Sequence, residues 1–232
     1  MADMRNFYHR LDELNDKLDG LSLHENNVAR LCYAMNTYAK MTDIVPEHES
    51  MVVFRAGLYH DIGKACVNKL YEGLMGMEGF GKNEFMKIKQ HPLLGVQLLF
   101  LIASEEGIDF DNPLIRTYQN GILFHHERLN GSGYMGFSGN NIPHIARIIG
   151  VADCFSAGIE RRVYEQPKTP EKVLSEIKED CEKGLLDKKY YEYLYGAYKN
   201  NLFRLKGSEI ILDNKLSTEI CTKIASEFNI AL

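Results

Sequence analysis

VVFRAGLYHDIGK, residues 52–64, leads an apolar run into a cluster of polar side chains that can do chemistry. Val52, Val53, Ala56, Leu58 and Tyr59 predict a helix that carries on through the motif. Helical spacing would place His60 and Lys64 one turn apart and Asp61 about 100° around from His60. Those three side chains can converge on one pocket.

Upstream, Val28, Leu31, Cys32, Met35 and Ala39 recur at helical spacing, and Ser22-x-x-Glu25 has the pattern of a capping box in front of them. His24 precedes Val28 by one turn and shares its inward face. Downstream, residues 71–83 (YEGLMGMEGFGKN) are glycine-rich and aperiodic, which predicts a mobile loop beside the pocket. A short helix is expected after Asn83, ending at His91, where Pro92 suits the first turn of a new helix. Asn112-Pro113 is a cap followed by proline at the first helical position. From there Ile115, Tyr118 and Ile122 carry a buried stripe to His125 and His126. Leu129–Asn141 (LNGSGYMGFSGNN) contains four glycines and reads as a loop that approaches something closely. After Pro143, Ile145, Ile148, Ile149, Ala152, Phe155 and Ile159 line a helix in which Asp153 is set among apolar neighbours. Further helical signals run from Thr169-Pro170-Glu171 through the tyrosine-rich stretch Tyr190–Tyr198, and only Ile210–Leu212 hints at a strand.

These signals predict an all-α fold, a helical bundle over residues 1–165 with a C-terminal helical extension over 166–232 packed on it. A chain of 232 residues with 45% hydrophobic content can bury such a core. The net charge of −5 gives no footprint for duplex nucleic acid or an anionic membrane surface. The longest apolar run, Leu98–Ala103, is far too short for a membrane span, and the charged N-terminal stretch is unlike a signal peptide. A cytoplasmic location is the expectation. Five widely spaced cysteines, Cys32, Cys66, Cys154, Cys181 and Cys221, include no CxxC pair and read as reduced thiols, mostly buried.

Of eight histidines, five (His24, His60, His91, His125 and His126) fall at the inner face or the end of a predicted helix, and Asp61 and Asp153 join them. Seven such groups suit two divalent ions better than one. Imidazole and carboxylate together favour iron or manganese, with nickel or zinc also compatible, and the lack of thiolates argues against a structural zinc site. A carboxylate such as Asp61 can bridge two cations that activate water, and Lys64 can balance charge developing on a phosphoryl group. His9, His48 and His144 lie outside this set and read as surface or packing residues.

HDIGK at 60–64, KQHPLLG at 89–95, HHERLNGSGY at 125–134 and ARIIGVADCF at 146–155, taken in order, resemble the HD-GYP family within the HD superfamily of metal-dependent phosphohydrolases. The resemblance covers about Ser22 to Tyr164. It implies an HD-domain helical bundle and a phosphodiesterase that opens the cyclic dinucleotide c-di-GMP. It further implies metal ligands at His24, His60, Asp61, His91, His125, His126 and Asp153, catalytic roles for Asp61 and Lys64, and phosphate contacts from Lys64 and Arg162. Tyr134 occupies the tyrosine of the GYP motif. Three positions depart from the family pattern. The motif reads Gly133-Tyr134-Met135, a later Arg-Pro-Tyr-basic signature reads Arg162-Val163-Tyr164-Glu165, and Gly20 stands where some members place a glutamate for a third metal. Two metals are therefore expected. The implied partner is a small anionic nucleotide, and the reading admits a homodimer. The alternatives are another nucleotide or phosphate ester as substrate, or a non-catalytic module that binds a cyclic dinucleotide or a protein.

Overall fold

The computed structural model describes residues 4–16, 22–42, 46–71, 81–160 and 167–230. Its helices are α1 (Met4–Asp16), α2 (Ser22–Met41), α3 (Ser50–Tyr59), α4 (Lys64–Leu70), α5 (Lys82–Ile88), α6 (His91–Glu105), α7 (Pro113–Phe124), α8 (His144–Ile159), α9 (Pro170–Glu182), α10 (Lys188–Lys199) and α11 (Asn214–Phe228). The architecture is all-α, as the periodicity predicts. Helix α2 is the central element, packed against α3, α8 and α10, and α7 closes the bundle against α3, α6 and α8. Its core joins Val28, Leu31, Cys32 and Met35 of α2 to Tyr59, Ile62, Ile115, Tyr118 and Ile122, and to Ile149, Ala152 and Phe155 of α8. Among the described residues no helix is long and apolar enough to cross a membrane.

Local chemistry explains most boundaries. The Asn112 side chain accepts the backbone N–H of Leu114, with Pro113 at the first helical position. Thr169, Asp187 and Asp213 cap α9, α10 and α11 in the same way. The structure corrects four expectations. First, the C-terminal extension is not wholly helical: β1 (Phe203–Lys206) and β2 (Glu209–Leu212) form an antiparallel hairpin on α2. Its tight turn needs the positive φ of +64° that Gly207 supplies, and Ile210 and Leu212 alternate into the core.

Second, HDIGK does not continue α3. The helix stops at Tyr59, and the chain makes a tight turn in which Ile62 N–H bonds to Tyr59 O and Lys64 N–H to Asp61 O before α4 begins. Third, Glu25 does not complete a capping box. Its carboxylate is fully buried and neither oxygen has a hydrogen-bond partner. Fourth, only Cys32 of the five free cysteines is buried; Cys66, Cys154 and Cys181 are half-buried and Cys221 is exposed. Helix α5 also starts at Lys82, slightly before its predicted start, whereas residues 72–80 of the predicted loop, Gly20 and Arg162 lie outside the described residues.

Candidate metal centre

Three of the predicted histidines are aimed by one recurring device. His60 follows the last residue of α3, His125 follows the last residue of α7, and His91 stands three residues beyond the end of α5. Each ring directs Nδ1 at a carbonyl three residues back: His60 to Gly57 O at 2.7 Å, His91 to Ile88 O at 2.8 Å and His125 to Ile122 O at 2.9 Å. Those carbonyls belong to helix ends, where they lack a partner further along the helix. A carbonyl accepts only, so each Nδ1 carries the proton and each Nε2 is left with a lone pair.

The lone pairs then face one another. His91 Nε2 lies 3.2 Å from His125 Nε2 and 3.0 Å from Asp61 Oδ1. His60 Nε2 lies 3.2 Å from Asp61 Oδ2, and His125 Nε2 is 3.6 Å from Asp61 Oδ1. All four residues are essentially without solvent exposure, and His60 Nε2 and Asp61 Oδ1 make no hydrogen bond at all. Buried acceptors aimed at each other are costly unless a cation lies between them. The seven predicted residues fall into two such groups, Asp61 with His91, His125 and His126, and His24 with His60 and Asp153. Asp61 turns one oxygen to each: Oδ1 to His91 and His125, and Oδ2 to His60 and, at 3.9 Å, His24. The donor set of imidazoles and carboxylates suits transition-metal binding.

Charge is matched to that use. Burial opposes ionisation of Asp61, but neighbouring charge, the Lys64 ammonium included, outweighs it and holds the carboxyl well below the usual carboxylate range. Asp153 is likewise held low against burial by His24. Burial keeps the rings of His91, His125 and His126 below the ordinary histidine value, so they present neutral nitrogen. His24 behaves oppositely. Burial disfavours its charge, yet Asp153 at 3.1 Å from Nε2 and Glu160 at 3.1 Å from Nδ1 push it up to about 10.

Lys64 is ion-paired with Asp61, and Asp61 keeps its ammonium charged against burial. Gly63 makes this turn possible, since a Cβ there would lie 1.9 Å from His91 O. Tyr134 lies over the ring of His126, centroids 4.4 Å apart, at the rim of the cluster. Gly133 is the glycine that approaches closely: a Cβ would stand 2.5 Å from Glu127 Cα.

Three carboxylates escaped the sequence reading. Glu160, at the end of α8, accepts from Asn27 and Ser156 as well as meeting His24. Its spacing of four from Ser156 was the available signal. Glu127, buried next to His126, accepts the backbone N–H groups of Met135 at 2.8 Å and Phe137 at 2.7 Å and so fixes the Gly133-Tyr134-Met135 loop. Glu25 sits beside His24 and senses Asp61; burial first, then that neighbouring charge, raises its pKa to about 8. Nothing in the sequence separated either from a surface charge.

An all-α bundle whose HDIGK turn and helix-end histidines gather two groups of side chains able to hold a metal defines the class. The chain belongs to the HD-domain family, whose sequence profile matches residues 11–189. It is 31% identical over 151 residues to a probable cyclic di-GMP phosphodiesterase of Vibrio cholerae, covering 64% of this chain and 33% of that protein. Similarity to a cyclic di-GMP phosphodiesterase of Thermotoga maritima is 35% over 122 residues, 51% of this chain and 30% of that one. The chain thus spans about a third of the length of these relatives. Among solved structures, the HD domain of the Listeria monocytogenes phosphodiesterase PgpH, in complex with cyclic-di-AMP, shares the fold. The TM-score is 0.52 at 18% identity, covering 82% of this chain and 95% of that one.

Proposed function

We propose that the chain is a metal-dependent phosphodiesterase that hydrolyses a cyclic dinucleotide, c-di-GMP first among them. The observation that carries this reading is the set of inward lone pairs on His60, His91, His125 and Asp61, which only cations can reconcile. His91, His125 and His126 would hold one ion, His24, His60 and Asp153 the other, with Asp61 shared, and iron or manganese is the expected metal. When bound, such ions supply Lewis-acid polarisation of a phosphoryl oxygen and acidify water. Lys64 neutralises charge building on the non-bridging phosphate oxygens while water displaces a ribose oxygen at phosphorus. Arg162 is proposed as a second cation for the phosphate, and Tyr134 as part of the substrate rim.

A second reading has its own observation. Met135 donates its backbone N–H to Glu127. A proline at this position has no N–H to give. The loop is therefore anchored in a way the GYP motif does not allow, which favours a different cyclic dinucleotide or another nucleotide ester as substrate. Metal-reconstituted protein should be incubated with c-di-GMP, cyclic-di-AMP and nucleoside monophosphates beside Asp61→Ala, with products separated by chromatography. Linear dinucleotide or mononucleotide from c-di-GMP, absent in the variant, supports the first reading. Turnover of another ester alone supports the second. Binding of c-di-GMP without turnover of any substrate would contradict both and leave a binding module.

A further inference from the structure

At the rim of the metal centre a lysine is clamped between two aromatic rings. Lys89 Nζ lies 4.8 Å from the ring centre of Tyr134 and 5.1 Å from that of Phe85, and these two rings meet edge to face at 6.2 Å. Tyr134 in turn covers His126, so a single ring separates the Lys89 ammonium from a predicted metal ligand. Lys89 is half-buried, and among the described residues no carboxylate lies within ion-pair distance of it. Phe85, by contrast, is 47% exposed on the outer side. The rings hold this ammonium in place without neutralising its charge. Lys64 already answers Asp61 on the metal side.

Resting on the phosphodiesterase reading above, we infer that Lys89 binds the second, non-scissile phosphate of a cyclic dinucleotide, with Phe85 and Tyr134 as the residues that position it. A cyclic dinucleotide carries two phosphates on opposite sides of its macrocycle. With one at the metal centre, the other needs a cation displaced from the ions and facing solvent. Lys89 is such a cation, and it makes a substrate with one phosphate the poorer ligand.

Steady-state kinetics of the metal-loaded protein on c-di-GMP and on bis(p-nitrophenyl) phosphate, a diester with a single phosphate, test this. Wild type is compared with Lys89→Gln, Lys89→Arg and Phe85→Leu, with metal content and melting temperature measured for each. In Lys89→Gln the ratio of kcat/KM for c-di-GMP to that for the single-phosphate diester should fall about tenfold, mainly through KM, the loss of one charge-assisted contact. Lys89→Arg should restore most of the ratio, and Phe85→Leu should lower it to a smaller extent. An unchanged ratio in Lys89→Gln, or an equal loss on both substrates, would overturn the role of Lys89 while leaving the phosphodiesterase reading intact. Wild type that cleaves the single-phosphate diester but no cyclic dinucleotide would overturn that reading and this inference with it.

Discussion

The ring of His24 lies between Asp153 and Glu160, both of which raise its pKa, to about 10 against the cost of burial. A raised histidine stabilises the metal-free fold below its unfolded pKa of about 6.5, and that contribution is lost as pH rises through about 10. Metal must displace the proton from Nε2. Adding metal to the chelated protein at pH 8 should release protons, and affinity should increase with pH over this range. Titration calorimetry in buffers of different ionisation enthalpy reads both, and metal uptake without proton release would show that His24 is not a ligand. For Asp61→Ala, with the carboxylate shared by both groups gone, phosphodiester hydrolysis should drop to about a thousandth of wild type or less. The clustering of these histidines was legible from the sequence because each ends or faces an apolar stripe. Glu25 was not, because Ser22-x-x-Glu25 matches a capping pattern equally well. Only three-dimensional packing buries its carboxylate where it senses Asp61.

Among the structural elements, the turn between α3 and α4 sets the whole centre. It was read as continuous helix because Val52–Tyr59 has strong helical periodicity and a single glycine does not announce a break. Yet Gly63 packs its Cα against the start of α6, leaving no room for a Cβ beside His91 O. Gly63→Ala should push α6 away, destabilise the fold by at least ~2 kcal/mol and reduce bound metal, as denaturant unfolding and metal analysis would report. Wild-type stability and metal content in this variant would show that the turn does not position His91. The Gly133-Tyr134-Met135 loop depends instead on Glu127, which takes two of its N–H groups. Glu127→Ala should leave those donors unpaired and loosen the loop, raising KM for the dinucleotide more than it lowers kcat. Equal loss on both parameters would point to damage at the metal centre itself. Of the hairpin only β2 was legible, through the hint at Ile210–Leu212, and β1 was missed because a four-residue strand carries too few side chains to establish a period of two.

On the scale of the whole chain, α2, α3, α6, α7 and α8 each bring at least one candidate ligand to the same place, or end next to one. If these residues hold the metal, its binding and folding should be coupled. Each ion bound only to the native state should add roughly 2.7 kcal/mol at a hundredfold excess over its Kd, so chelation should lower the melting temperature by several degrees. A melting temperature indifferent to chelator would contradict that coupling. The bundle itself was legible because its core is built from long, strongly periodic helices, whereas the reach of α9, α10 and the hairpin back onto α2 depends on contacts distant in sequence. The most direct measurement of the central claim is the metal content of protein purified without oxygen, for wild type and Asp61→Ala. Close to two iron or manganese ions per chain, falling sharply in Asp61→Ala, is the predicted result, and wild-type protein that binds no transition metal even after reconstitution would contradict it.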